Sequence, residues 1–204
     1  MSEMSVIQQK YKTLCETPSD INEHLPTLHK YALECQHVTE MGVRSVVSSY
    51  AFASALEERE GVKLVQVDLQ TNDNVVHFGQ ECRAKNLQTT FYKESSLTCP
   101  IEQTDLLFID TWHVYGHLKR ELERWHRHVG KYIIMHDTTV DEWLGETVRV
   151  GWNSAQQSQQ TGIPENEIRM GLWPAIGEFL EKHPEWVLHE RFTNNNGLTI
   201  LKRA

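Results

Sequence analysis

Residues 104–138 read TDLLFIDTWHVYGHLKRELERWHRHVGKYIIMHDT, and this stretch decides the fold. It holds two apolar runs, Leu106–Ile109 and Tyr132–Met135. Each run stops at groups that can hold a metal or a proton: Asp110 with His113, then His136 with Asp137. The pattern between them predicts a helix over Val114–Val129. Strand, helix and strand at this length form a βαβ crossover, whose strands lie parallel. Both acidic ends then fall on the carboxyl edge of one sheet, where open α/β folds bind ligands.

The same rhythm runs outward on both sides. Upstream, His37–Gly42, Lys63–Leu69 and Thr89–Ser95 read as strands, with Asp105–Asp110 the fourth and Lys131–Asp137 the fifth. Ser48–Glu58 reads as a helix with Tyr50, Phe52, Ala53 and Leu56 on its apolar face, and Asn74–Asn86 as another capped by Asp73. Before residue 30 the chain is polar. Ser19-Asp20 followed by Glu23 resembles a helix start, with Pro26 early in the next helical stretch. Downstream, residues 141–170 are rich in Gln, Asn and Gly and read as a lid or substrate loop. Leu172–His183 follows as a helix, then strands Trp186–Phe192 and Gly197–Lys202 around the turn Thr193–Asn196. The expectation is one domain over 1–204, with an N-terminal helical cap (1–34) and a lid-like insertion (139–171).

Composition narrows the function classes. The chain has 204 residues, 39% of them apolar and 24% charged, which suits one globular domain. Its formal charge is −8, with no run of Lys or Arg. Nucleic acid is therefore not expected as a main partner, because phosphate binding needs a basic patch. Cys15, Cys35, Cys82 and Cys99 are scattered without a CxxC pair, which favours reduced thiols over a disulfide frame or a zinc site. No apolar stretch approaches the roughly 18 residues of a membrane span, and no signal-peptide core is visible. A cytoplasmic protein with no membrane partner is the expectation.

This element order resembles the Rossmann-like class I S-adenosylmethionine-dependent methyltransferases: α/β, with a mostly parallel seven-stranded sheet and a C-terminal antiparallel hairpin. The resemblance rests on Glu40-Met41-Gly42-Val43-Arg44-Ser45 at the end of the first strand, Asp68 ending the second, Glu94-Ser95 ending the third and Asp110 ending the fourth. It implies that Glu40 and Gly42 belong to the cofactor loop, that Asp68 meets the ribose hydroxyls, and that Glu94 and Ser95 meet the adenine. The family's first motif has two or three glycines; this chain keeps only Gly42, and Arg44 or Ser45 is left to hold the methionine carboxylate. A narrower resemblance is to metal-dependent small-molecule O-methyltransferases of the catechol and of the macrocin and mycinamicin sugar types, grouped with cephalosporin-hydroxylase-like proteins. It rests on Asp110-Thr111-Trp112-His113 and His136-Asp137. It implies a divalent cation, Mg²⁺ or Mn²⁺, held by Asp110, Asp137 and, where the family has another acid or amide, His136. The implied acceptor is a small molecule, a sugar or glycan hydroxyl. The protein would act as a homo-oligomer or as one module of a longer glycan-building protein.

The chemistry fits those residue types. An alcohol is a poor nucleophile near neutral pH; a cation lowers its pKa and fixes its oxygen. A nearby histidine is a suitable base, and His113 is favoured over His136. Bland readings stand beside these. Asp110 also fits a helix cap, Asp137 a turn, and Trp112 either a cofactor stack or the core. His117, His126 and His128 are expected to be solvated, and Trp143, Trp152 and Trp173 to be packed. Two other function classes use the same features: a metal-dependent hydroxylase or hydrolase built on Asp110, His113 and His136, and a non-catalytic binding module whose glycine motif has decayed.

Overall fold

Alternate residues of the central strands face opposite layers, so each strand is apolar on both sides, as in a parallel sheet covered by helices. A computed structural model describes residues 4–204; residues 1–3 of the expected N-terminal cap lie outside the described residues. The strands are β1 (His37–Met41), β2 (Lys63–Asp68), β3 (Gln88–Lys93), β4 (Thr104–Ile109), β5 (Val129–His136), β6 (Trp186–Phe192) and β7 (Leu198–Arg203). They form one seven-stranded sheet in the order β3-β2-β1-β4-β5-β7-β6. Strands β1 to β5 pair in parallel, and β7 lies antiparallel between β5 and β6. Ile109 pairs with Met135, so the residues that follow each, Asp110 and His136-Asp137, emerge side by side at the carboxyl edge.

One face of the sheet packs under α1 (Val6–Glu16), α2 (Leu25–Ala32), α3 (Val47–Leu56) and α4 (Asp73–Ala84). There Leu28, Phe52 and Phe78 meet Leu64, Phe108 and Ile134. The other face packs under α5 (Tyr115–Trp125) and α9 (Leu172–Lys182), where Leu122, Trp125 and Phe179 meet Val65, Leu107 and Ile133. Among the described residues, no helix is long and apolar enough to cross a membrane. All four cysteines are free thiols.

Several local expectations are corrected. The first helix starts at a capping box formed by Ser5 and Gln8 rather than near Ser19, where only a 3₁₀ turn (Asn22–His24) leads into α2. The cap of α4 is Asn72, whose side chain accepts from the Val75 N–H, and Asp73 is the first helical residue. The helix after Asp110 ends at Trp125 and tightens into a 3₁₀ turn over His126–His128. The polar stretch after β5 is three short helices, α6 (Glu146–Val150), α7 (Ser154–Thr161) and α8 (Glu165–Arg169). They are tied down by a Leu144–Met170 bridge and by Ile163 and Ile168 packing on Val114.

Candidate active site

The site begins with backbone. Gly42 ends β1 at φ +83°, and a Cβ there would lie 1.8 Å from the Asp110 carbonyl oxygen. No other residue fits, which explains why this one glycine of the loop is present. Arg44 (φ +43°) and Val46 (φ +62°) are also left-handed, a conformation unfavourable for side-chain-bearing residues and most of all for a β-branched one. Asp68 holds the loop in that shape. Its Oδ2 accepts from the N–H groups of Val43 and Arg44 at 2.8 and 2.9 Å, and its Oδ1 from Gln70 at 2.9 Å. Asn72 adds a bond from its Nδ2 to the Arg44 carbonyl at 2.7 Å.

Between this loop and the ends of β4 and β5 lies a cavity of about 210 Å³. Of the residues singled out in the sequence, Gly42, Arg44, Ser45, Asp110, His113 and Asp137 line it, joined by Asp20, Thr111 and Glu146. The others stand back from it. Glu94 lies exposed and Ser95 half-buried beyond the end of β3. Trp112 packs against Val114, Ile163 and Ile168 and donates its indole N–H to Thr147 Oγ1 at 3.1 Å. Glu40 is fully buried, accepting from Ser48 (2.5 Å), Ser49 (2.6 Å) and Gln66 (2.9 Å). Burial pushes its carboxyl up to about 7, against the pull of those three hydrogen bonds.

At the cavity floor the His113 imidazole meets the Asp110 and Asp137 carboxylates, with the buried His136 imidazole behind them. His113 Nε2 lies 3.1 Å from Asp110 Oδ1 and 3.2 Å from Asp137 Oδ2. His136 Nδ1 approaches the same two oxygens at 3.5 and 3.3 Å, while its Nε2 bonds the Asn195 carbonyl at 3.2 Å. Asp137 sits at φ +57°, which turns its carboxylate back toward Asp110. Burial works against charge on both histidines, but the carboxylates outweigh it. Asp110, Asp141 and Asp137 hold His113 well above its ordinary value, and Asp110 and Asp137 raise His136 to about 10. For Asp110 burial again opposes ionisation, and the two histidines more than offset it, holding the carboxyl well below the usual range.

Two residues here went unmarked in the sequence reading. Fully buried Asp141 places Oδ2 3.2 Å from His113 Nδ1, off the hydrogen-bond direction, and grips Arg149 through two bonds of 2.6 and 2.9 Å. Glu146 faces the His113 main-chain N–H at 3.4 Å and donates its own N–H to the His113 carbonyl at 2.9 Å. The available signal was an acid four residues after Asp137, inside a segment read as a loop. The expected solvation of the helical histidines is also corrected. His117 is largely buried, within 3.2 Å of both Ser96 Oγ and Glu121 Oε1, and His126 is 3% exposed. Conversely, Trp143 and Trp152 are exposed rather than packed, whereas Trp173 lies under the Arg191 guanidinium.

The donor set fits a divalent cation. Asp110, His113 and Asp137 offer ligand atoms within 4.8 Å of one another. His136 Nδ1 is buried without a hydrogen-bond partner, beside both carboxylates. An orphaned imidazole nitrogen next to two acids is what a shared cation would satisfy.

Comparison with known proteins follows the same line. A family model described as a methyltransferase domain matches residues 39–138, about half of the chain, running from β1 to just past Asp137. Over these residues the chain is similar to a methyltransferase domain. No curated protein sequence matches it. Solved methyltransferases share its fold at low identity. The O-methyltransferase TomG from Streptomyces achromogenes, in complex with S-adenosylmethionine, is 11% identical, with a TM-score of 0.60 over 100% of this chain and 91% of that one. An O-methyltransferase from Bacillus cereus in complex with S-adenosylhomocysteine is 12% identical, with a TM-score of 0.57 over 100% and 93%. A methyltransferase from Geobacter sulfurreducens is 14% identical, with a TM-score of 0.58 over 100% and 93%.

Proposed function

We propose that this methyltransferase domain transfers the methyl group of S-adenosylmethionine to a hydroxyl oxygen, assisted by a divalent cation, and that the acceptor is a sugar hydroxyl in glycan building. One observation carries the reading: His113, with Asp110 and Asp137, forms the floor of a cavity whose opposite wall is the Gly42–Ser45 loop. A proton acceptor at His113 would stand opposite the loop that, in this fold, faces the methionine end of the cofactor. The acceptor oxygen attacks the sulfonium methyl carbon in line. The S–CH₃ bond breaks as the O–CH₃ bond forms, and the hydroxyl proton passes to His113 Nε2 when that imidazole is in its neutral form, a form the neighbouring carboxylates disfavour. Asp141 and the Gly145–Glu146 segment hold the His113 ring and backbone in place for that transfer.

Asp110, Asp137 and His136 Nδ1 would hold the cation, which supplies a lowered pKa and a fixed position for the acceptor oxygen. Two carboxylates favour Mg²⁺ or Mn²⁺, and the imidazole favours Mn²⁺ of the two. Arg44 and Ser45 are the loop residues available to the methionine carboxylate, and Arg44 is already drawn toward the rim by Asp20 at 3.0 Å. The sugar assignment draws on the exposed indoles of Trp143 and Trp152, carried by the segment that also supplies Asp141 and Glu146.

Calorimetric titration with S-adenosylhomocysteine, followed by methyl transfer to a panel of sugars with and without chelator, tests the proposal. Binding heat, and transfer that disappears with EDTA and returns with Mn²⁺, is expected. Absence of heat removes the cofactor assignment, and full transfer in excess EDTA removes the cation.

A further inference from the structure

The opposite edge of the sheet carries a second cluster of metal-competent groups that methyl transfer does not use. His126 follows the last turn of α5, and β5 starts at Val129, so this cluster lies at the amino edge, away from Asp110 and Asp137. Glu123 stands three residues before His126 on the same helical face. His183 and Glu185 come from the link between α9 and β6. Glu123, His126 and His183 offer ligand atoms within 4.8 Å of one another.

The details point to a ligand rather than to a hydrogen-bonded pair. The two imidazole rings lie 4.0 Å apart. Among the described residues, His126 Nδ1 and His183 Nε2 are buried and have no hydrogen-bond partner. His126 Nδ1 is 3.5 Å from Glu185 Oε1, and His183 Nε2 is 3.5 Å from Glu123 Oε1. Those separations are too long for good hydrogen bonds. They are close to the spacing of two atoms bound about 2.1 Å from one tetrahedral ion, which is about 3.4 Å. The Phe179 ring walls the cluster, 4.6 Å from His183 and 5.6 Å from His126. The carboxylates are partly exposed and leave an entry path.

We infer that Glu123, His126 and His183, with Glu185 beside them, form a second, structural site for a borderline transition-metal dication of the Zn²⁺ class. Two imidazoles and carboxylates select such an ion over Mg²⁺. Bound there, it would staple the end of α5 to the start of β6.

Cobalt(II) is the spectroscopic probe, with Zn²⁺ as competitor. One equivalent of Co²⁺ should give a visible tetrahedral absorption band that Zn²⁺ bleaches. Zn²⁺ at 100 times its Kd should raise Tm by about 5–11 °C. His183→Gln should abolish the band, and Glu123→Gln, a change at an exposed side chain, should weaken Co²⁺ binding at least about ten-fold. Asp137→Asn should keep the band. Should His183→Gln fail to fold, Glu123→Gln decides. No band in the wild type, a band unchanged in Glu123→Gln, or a band lost in Asp137→Asn would each overturn the assignment.

Discussion

Replacing Glu40 by Gln should make the protein more stable above neutral pH and leave it nearly unchanged in mild acid. Below pH 4.5 the carboxyl is protonated in the folded and unfolded chains alike. Between 4.5 and about 7 the unfolded chain releases this proton while the folded chain keeps it, because burial holds the folded value near 7. Ionisation in that window draws the equilibrium toward unfolding, and above 7 the loss is complete. The gap between 4.5 and about 7 corresponds to about 3 kcal/mol, at about 1.4 kcal/mol per pH unit. Glutamine cannot ionise, yet it can keep the network. Its carbonyl can accept from Ser49 and Gln66, and its amide can donate to Ser48, whose hydroxyl rotates. For a domain of this size, about 2–4 °C of Tm per kcal/mol gives a gain of about 6–12 °C at pH 8. Melting curves of both proteins from pH 4.5 to 8 isolate the effect, since every other group titrates in both. A Tm difference that stays constant across this range would refute the claim that Glu40 is a desolvated acid.

Other perturbations probe the site. Gly42→Ala forces a Cβ into the Asp110 carbonyl at a left-handed φ, and should lower stability by about 3 kcal/mol or more, read as a Tm drop of about 6–12 °C. His113→Gln should abolish methyl transfer while calorimetry still detects S-adenosylhomocysteine binding; retained turnover would remove His113 as the base. Asp141→Asn should reduce kcat by about 10–100-fold with little change in cofactor Kd, as for carboxylates that orient a functional histidine. Asn72→Ala should cost about 1 kcal/mol by removing the cap of α4, measured by urea unfolding.

The β-α order was legible because apolar runs of strand length alternate with helical stretches, and the acids that end β4 and β5 lie directly after those runs. The convergence of Asp110 and Asp137 follows from that pattern; His113 joins them because the turn after β4 curls back. What stayed hidden depends on side-chain direction across long sequence separations. Nothing in the Gln- and Asn-rich composition of 141–170 shows that Asp141 turns back under His113. The alternation also says nothing of Asp68 closing on the loop N–H groups of Val43 and Arg44. His126 looked solvated because a helix over Val114–Val129 was expected to continue past it; the helix tightens at Trp125 and rotates the imidazole inward.

The antiparallel strand β7 follows β5 and β6 in the chain, yet it fills the gap between them. The bend before it is bound on several sides. Asn194 and Asn195 tie to Ser19, Glu23 and His24 near the start of the chain, the Asn195 carbonyl receives His136, and Gly197 presses against Thr139. During synthesis, then, β5 and β6 wait with open edges, and the imidazole of His136 has no seat, until residues 194–203 clear the ribosome. The seat of His136 is completed only when β7 docks. A nascent chain stalled before them would expose strand edges that invite other chains to pair.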